Sequence, residues 1–133
     1  MTYMLDSNIC IYAINNRNPK AARQITVHRQ SGICISAIAF AELRHGVEKS
    51  AYPEKNTARL LQLTAIMDVL PFGKSAAEEY GRIRACLQKR GTPIGPMDML
   101  IAAHARAENL ILVTINVREF ARVPDLKLEN WAE

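Results

Sequence analysis

The most constraining feature of the chain is the alternation of short apolar runs with helical segments of about 10 to 15 residues. The apolar runs predict strands at residues 3–5, 33–35, 69–72 and 110–114, with a last strand near 127–129. Parallel strands need a crossover connection, usually a helix, so this alternation is typical of a parallel sheet covered on both faces. We therefore expect one three-layer α/β/α domain over residues 1–133, with a mostly parallel central sheet.

Proline, serine and glycine residues mark where the helices begin and end. The predicted helix starts are Ser7 or Asn8, Pro19, Ser36 and Pro53, and the last of these helices should bury a stripe of Leu60, Leu61, Leu63 and Ile66. Ser75 and Glu78 form a capping-box pattern that predicts a further helix, which Gly91 ends. The proline-rich segment 91–96 then predicts a rigid loop that delivers Asp98 to the start of an apolar helix, 99–107.

Composition favours a soluble folded protein. Of the 133 residues, 49% are hydrophobic and 23% are charged, which excludes a disordered or collagen-like chain. No apolar run nears the roughly 18 residues of a membrane span, and the first ten residues carry no basic segment of a signal peptide. We expect a cytoplasmic protein without a membrane association.

Cys10, Cys34 and Cys86 are an odd number at wide spacings, so we interpret all three as buried hydrophobic residues.

The charge balance is compatible with a polyanionic partner. The formal net charge is +4, and the densest basic stretch consists of Arg82, Arg84, Lys89 and Arg90. Arginine presents a planar fork that matches phosphate oxygens. A solvated helix face explains the same residues, so charge alone does not identify the partner.

The acidic residues fall where a site is expected in an open α/β sheet, just beyond the carboxyl ends of the strands. Asp6 follows the first strand, Thr114, Asn116 and Glu119 follow the fourth, and Asp98 precedes the fourth strand by one helix. Glu42 lies in the middle of the third predicted helix. A simpler interpretation is that Asp6 and Asp98 only cap helices and that Glu42 is a solvated helix residue.

The three histidines offer a chemistry that competes with the acidic residues. A metal-free ribonuclease could use His28, His45 or His104 as general acid and base. Their positions favour surface or core roles instead. The sequence has no GxSxG, Gly-rich phosphate loop or HExxH motif, which leaves serine hydrolase, NTPase and zinc protease functions without support.

Four segments together resemble the PIN-domain VapC toxins of prokaryotic toxin-antitoxin pairs. They are Met4-Leu5-Asp6-Ser7-Asn8, Ser36 with Ala41-Glu42-Leu43, the stretch from Gly91 to Asp98 with Ile101-Ala102-Ala103-His104-Ala105, and Thr114 to Phe120. The resemblance implies a PIN-like fold and an endoribonuclease that depends on Mg²⁺ or Mn²⁺. Asp6, Glu42 and Asp98 match the acidic positions that would hold the metal.

The same resemblance extends to the residues around the acids. Asn116 stands where many PIN domains carry Asp, and with Glu119 it completes the catalytic set that we expect. Ser7 stands where many relatives have Thr, and we assign Ser7, Asn8 and Thr114 to the surroundings of the metal. An Asn offers a neutral oxygen but no charge at its position.

The resemblance also implies partners. Relatives with the Gly-Thr-Pro-Ile-Gly-Pro loop resemble nucleases that cut initiator tRNA in its anticodon stem-loop. A VapB-type antitoxin would obstruct the acidic site and bind operator DNA for the pair, and the toxin would be a homodimer. The alternative is a non-catalytic PIN-like module that binds nucleic acid or the antitoxin.

Overall fold

The computed structural model describes residues 1–15 and 17–133 and contains a sheet of five strands, all parallel, in the order β3-β2-β1-β4-β5. The strands are β1 (Tyr3–Leu5), β2 (Ile33–Ser36), β3 (Asp68–Leu70), β4 (Ile111–Val113) and β5 (Leu128–Glu129). Helices cover the sheet, which confirms the predicted three-layer α/β/α architecture.

The central strand β1 is the point where the strand order reverses. Tyr3 pairs with Ile33 of β2 on one side, and Leu5 pairs with Val113 of β4 on the other. All strands run the same way, so the residues that follow β1 and β4 meet at one edge of the sheet. A crevice at such a switch point is the usual ligand site of an open α/β sheet.

Side chains start three of the helices. Asp6, Asn18 and Ser36 each accept a hydrogen bond from a backbone N–H in the first turn that follows them. The helices are α1 (Ser7–Ile14), α2 (Pro19–His28), α3 (Ala37–Glu48), α4 (Pro53–Thr64), α5 (Lys74–Arg90), α6 (Pro96–Ala107) and α7 (Val117–Phe120), and a short 3-10 helix spans Arg29–Ser31. Gly91 ends α5 with a left-handed φ of 66°, as predicted.

Three predicted boundaries were wrong. The capping box at Ser75 does not form, because Ala77 donates to the carbonyl of Gly73 and the first turn of α5 closes from Lys74. Helix α6 begins at Pro96, whose missing N–H costs nothing in a first turn, so Asp98 lies inside that turn and does not precede it. Strand β3 ends at Leu70 because Pro71 has no N–H for the ladder.

The core is built on β1, β2, β4 and α6, and two expected core residues lie elsewhere. Met4, Leu5, Ile35 and Ile101 are fully buried within it. Leu61 is 62% exposed, because one residue along a helix turns the side chain about 100° away from buried Leu60. Cys86 is only half-buried on the outer helix α5, whereas Cys10 and Cys34 are buried as predicted. No helix within residues 1–15 and 17–133 has the length and hydropathy of a membrane span.

Candidate active site

Asp6 is the most constrained polar residue of the site. It is 1% exposed, and its position directly after β1 makes it the cap of α1. Its Oδ1 accepts the Ser7 N–H at 2.8 Å, and its Oδ2 accepts the Thr114 hydroxyl at 2.9 Å. Burial raises the pKa of Asp6, the two hydrogen bonds lower it, and the charge of Glu119 raises it further. Asp6 is therefore a helix cap and a member of the acidic group at once.

Thr114 fixes the orientation of Asp6. This buried residue follows β4, and its Oγ1 accepts the Asn116 N–H at 3.0 Å while it donates to Asp6. The Thr114 hydroxyl proton therefore points toward the Asp6 carboxylate, because the Asn116 N–H approaches the same oxygen as a donor. The Thr114 hydroxyl thus orients the Asp6 carboxylate. The role beside a bound metal that the sequence predicts for Thr114 stays a prediction.

Glu42 reaches the same edge of the sheet from α3. The Ser7 hydroxyl donates to Glu42 Oε1 at 3.3 Å, which joins the first turn of α1 to the middle of α3. Burial raises the pKa of Glu42, and the charge of Asp6 raises it further. The sequence left open whether Glu42 is a plain solvated residue; its half-buried position and its contact with Ser7 place it beside Asp6.

Asp98 and Glu119 complete the acidic group. The Gly95 N–H donates to Glu119 Oε1 at 3.0 Å, and a Cβ at Gly95 would lie 3.5 Å from Asp98 Oδ2 and 3.9 Å from Glu119 Oε1. Burial, followed by the charges of Asp6 and Glu119, raises the pKa of Asp98 to about 7. A hydrogen bond with Glu119, which needs a proton on one of the two acids, contributes in the same direction. The Gly95 amide is a contact that sequence reasoning missed.

The acidic group defined by Asp6, Glu42, Asp98 and Glu119 has no basic side chain in an ion pair with it, as far as residues 1–15 and 17–133 show. In the same part of the chain, no three His, Cys, Asp or Glu side chains form a ready cluster that could hold a metal ion. Mg²⁺ usually keeps several waters and takes only one or two carboxylates from the protein, together with substrate phosphates. The all-oxygen donors therefore fit a hydrated Mg²⁺ or Mn²⁺ better than a fully protein-ligated cation.

The two asparagines are less closely tied to the group. Asn116 precedes α7 and is linked to Thr114 through its backbone N–H. Asn8 lies half-buried in the first turn of α1. Across the described residues no hydrogen bond connects either side chain to the four acids, so their predicted roles at the metal stay predictions.

The histidines lie in other surroundings. His104 is 1% exposed, its Nδ1 lies 2.8 Å from Ser36 Oγ, and burial lowers its pKa. His28 stacks on Trp131 with ring centroids 4.6 Å apart, and His45 is exposed. The hydrogen bonds of the described residues connect none of the three to the acidic group. The geometry therefore favours the carboxylates over the histidines as the chemical groups.

Comparison with known proteins identifies the family of the chain. The PIN domain model matches residues 3–126. The chain is 44% identical over 132 residues to the tRNA(fMet)-specific endonuclease VapC of Shigella flexneri, covering 99% of each protein. It is 42% identical over 131 residues to the protein of the same name from Salmonella typhimurium, covering 98% of each.

A solved structure has the same fold over nearly the whole length. It is VapBC2 from Rickettsia felis bound to a DNA fragment from their promoter, with a TM-score of 0.94 and 42% identity over 98% of this chain and 99% of that chain. Matches of this identity and coverage bear out the resemblance seen in the four motifs, and the chain belongs to the VapC group of the PIN-domain family.

Proposed function

We propose that this chain is the toxin of a VapBC-type pair, a Mg²⁺- or Mn²⁺-dependent endoribonuclease that cuts initiator tRNA in its anticodon stem-loop. One observation carries the proposal. Burial and then the charges of Asp6, Glu119 and Glu42 raise the pKa of Asp98, although Asp6 lies 92 residues away in the chain. The four carboxylates therefore lie together at the switch point of the sheet.

Electrostatics explains why such a group needs a cation. Two carboxylates about 4 Å apart repel by roughly 4 kcal/mol at an effective dielectric constant near 20. Protons or a metal ion must neutralise the group. Burial is the main cause that raises the pKa values of Asp6, Glu42 and Asp98, and the charge of a neighbouring carboxylate raises each of them further. Oxygen-only donors select Mg²⁺ or Mn²⁺ among the common biological cations.

The residues divide into those that would hold the ion, those that orient the carboxylates and one that would accept a proton. Asp6, Glu42 and Asp98 would hold the hydrated ion, either directly or through its bound waters, and Ser7 and Thr114 orient two of these carboxylates through their hydroxyls. When bound, the ion supplies charge stabilisation to a phosphodiester that is being hydrolysed. Glu119, which the Gly95 N–H holds beside Asp98, would accept the proton released by an attacking water.

The substrate assignment is supported by the relatives and by the surface charge. Two relatives above 40% identity carry the name tRNA(fMet)-specific endonuclease. The Arg84, Lys89 and Arg90 side chains are exposed along α5, where they can neutralise an RNA backbone, whereas Arg82 is already paired with Glu78 and Glu79. Unstacked bases in a loop provide the selectivity that a regular RNA helix does not.

The partners follow from the same family. Solved neighbours include a DNA-bound VapBC from Salmonella typhimurium and VapBC-1 from nontypeable Haemophilus influenzae. We accordingly expect a VapB-type antitoxin, operator DNA bound only through that antitoxin, and a toxin homodimer. The site of action is the cytoplasm, where tRNA is found.

The deciding experiment is sequencing of RNA ends after brief expression of the chain without any antitoxin, compared with Asp98→Asn. We expect one dominant set of new ends in the anticodon loop of initiator tRNA, absent from the variant. Purified protein should cut the same RNA with Mn²⁺ and stop in excess EDTA. Undiminished cutting in EDTA would contradict the metal requirement, and identical ends from both proteins would contradict the nuclease assignment.

A second candidate is a non-catalytic module that binds RNA or the antitoxin. It is favoured by the absence of a ready three-ligand cluster in residues 1–15 and 17–133 and by the amide at Asn116. This module would bind RNA without turnover and would give no heat with Mn²⁺ in calorimetry. A Mn²⁺ titration of the purified protein therefore separates the two candidates even before an RNA substrate is known.

A further inference from the structure

We propose that a cleft beside the acidic group binds one unstacked base of the RNA substrate. This inference rests on the proposed ribonuclease function and adds to it a specificity site, which we call the base cleft. It lies between α5 and the loop that leads into α6, with a volume of about 290 Å³. Its lining includes Tyr80, Arg84 and Gln88 from α5, Pro93 from the loop, and Pro96 and Met99 from α6.

The walls of the base cleft suit a flat aromatic ligand. A tyrosine ring and two proline rings offer planar or nearly planar apolar faces, and Met99 is 8% exposed at the floor. The Gln88 amide and the Arg84 guanidinium add hydrogen-bonding groups of both kinds, donors and one acceptor. Proteins that read single-stranded RNA combine these features, stacking a base on aromatic or guanidinium planes and hydrogen-bonding its edges.

Arg84 is held in place and keeps its charge available. Its Nη1 donates to the Tyr80 hydroxyl at 3.0 Å, one turn earlier on α5. Among the ion pairs of the described residues, Arg84 takes no part, whereas Arg82 on the same helix is paired with Glu78 and Glu79. A fixed guanidinium without an acidic partner complements the phosphate that follows a bound base.

The loop joins the base cleft to the acidic group. The carbonyl of Pro93 accepts a hydrogen bond from Arg122 Nη1 at 2.9 Å, which ties the loop down on its outer side. Two residues later the Gly95 N–H holds Glu119, and Pro96 and Asp98 share the first turn of α6. The two sites are therefore separated by one anchored backbone segment, and in our proposal the base that enters the cleft belongs to a nucleotide near the cleaved bond.

Kinetics with matched variants test the base cleft. With a synthetic initiator-tRNA anticodon stem-loop and Mn²⁺, we expect Tyr80→Ala and Arg84→Gln each to raise KM roughly tenfold, as expected for one lost stacked base or phosphate contact. The value of kcat should change less than threefold. Tyr80→Phe keeps the ring and should change KM less than threefold. The control is Arg82→Gln, which removes the same charge outside the cleft and should leave KM within twofold; equal KM effects of Arg82→Gln and Arg84→Gln would overturn the proposal.

A binding measurement identifies the base and does not depend on cleavage. Labelled stem-loops with single abasic substitutions are titrated against wild-type protein and Tyr80→Ala in EDTA, with anisotropy as the readout. One abasic position should weaken binding to wild type about tenfold and to Tyr80→Ala less than twofold. If Tyr80→Ala leaves every abasic penalty unchanged, the cleft holds no base. If wild type cuts no RNA yet shows the abasic pattern, the ribonuclease proposal fails while the cleft stands.

Two further outcomes are decisive. Unchanged RNA affinity combined with weaker binding of the co-expressed antitoxin to Tyr80→Ala would assign the cleft to a peptide and overturn the RNA proposal. Loss of the cooperative thermal transition in Tyr80→Ala would shift the test to Arg84→Gln and Tyr80→Phe, which keep the ring against Met99. For those two variants the KM values decide. A roughly tenfold higher KM for Arg84→Gln, with Tyr80→Phe and Arg82→Gln near wild type, supports the proposal, and equal KM values for Arg84→Gln and Arg82→Gln overturn it.

Discussion

Half-buried carboxylates at the two ends of α6 have opposite surroundings. Near its C-terminal end, Arg106 donates to Glu79 of α5, and this hydrogen bond holds the pKa of Glu79 below its usual value. In the first turn of the same helix, Asp98 meets Glu119, Asp6 and Glu42, and its pKa is raised to about 7. The C-terminal end of α6 thus pairs a carboxylate with an arginine. The N-terminal end brings several carboxylates together and, among the described residues, pairs none of them with a basic side chain.

This difference separates stability from function. The Arg106 guanidinium also donates to the carbonyl of Pro124 at 3.0 Å, so the paired end joins α5, α6 and the segment that leads to β5. Such a contact stabilises the fold at every pH where Glu79 is ionised. The acidic group instead lowers stability until a proton or a cation arrives, which is typical of a site arranged for binding.

Removing the negative charge of Asp98, at the N-terminal end of α6, should have the largest effect, and that effect should be on RNA cleavage. We expect Asp98→Asn to lower RNA cleavage by roughly two orders of magnitude or more, because it removes a carboxylate from the proposed metal site. Its thermal midpoint should stay unchanged or rise, since like-charge repulsion is relieved. Cleavage assays and thermal denaturation measure both effects. The matched control, Glu79→Gln, removes the same charge at the other end and should keep activity within about threefold; unfolding of Asp98→Asn would instead favour a purely structural role.

The pH dependence of stability should also differ between the two ends. The pKa of Asp98 rises from 3.8 unfolded to about 7 folded, so the folded state holds this proton more tightly. Its contribution to stability is therefore greatest near pH 4 and is lost as the pH rises toward 7. The pKa of Glu79 is lowered, so its contribution is present above its unfolded value of 4.5 and is lost as the pH falls through its folded pKa.

Thermal midpoints in EDTA test these opposite signs. From about pH 5 to pH 7, we expect the wild-type midpoint to fall on the order of a few degrees, and Asp98→Asn to remove most of that fall. Added Mn²⁺ should also remove it, because a bound cation replaces the proton. A wild-type midpoint that rises over this range as steeply as that of Asp98→Asn would show that the acidic group carries no excess repulsion.

Breaking the paired end should give a moderate loss of stability. Glu79→Gln leaves the Arg106 guanidinium, whose side chain is 20% exposed, without its charged partner. We expect the free energy of unfolding to fall by about 1 kcal/mol, the size of a partly exposed charged hydrogen bond. Urea denaturation at pH 7 measures the change. Glu78→Gln, at a more exposed acid with longer contacts, is the control and should have less than half that effect.

How far the sequence predicts the molecule differs between fold and site. Strands, helices and layers follow from hydrophobic period and from proline and glycine positions, so β1, α3 and the end of α5 were correctly predicted. Errors arose where backbone chemistry shifts a boundary by two or three residues, as at Pro71 and at Pro96. Leu61 was misplaced because a helix of moderate burial has a narrower apolar stripe than its leucine content suggests.

The site required long-range information that local patterns lack. The position of Asp6 after a buried strand already indicated a site at the sheet edge, but the Thr114 hydroxyl that aims it comes from 108 residues away. From the residue pattern alone, Glu42 looked like a solvated helix residue. The family resemblance singled it out, and its half-buried position and the Ser7 contact place it beside Asp6. The amide of Gly95 gave no sequence signal at all, because every non-proline residue carries the same N–H.

Adding a carboxylate near the acidic group should have the smallest effect of the proposed changes, a modest rise in Mn²⁺ affinity. Asn116→Asp places one more negative charge after β4, so we expect Mn²⁺ affinity, measured by calorimetry, to rise roughly two- to fivefold. The apo thermal midpoint should fall slightly for the same reason. Asn109→Asp is the matched control, because Asn109 follows the paired end of α6, where its Oδ1 already accepts from Lys127 Nζ at 3.1 Å. Equal Mn²⁺ affinities for both variants and wild type would mean that the Asn116 side chain does not face the ion.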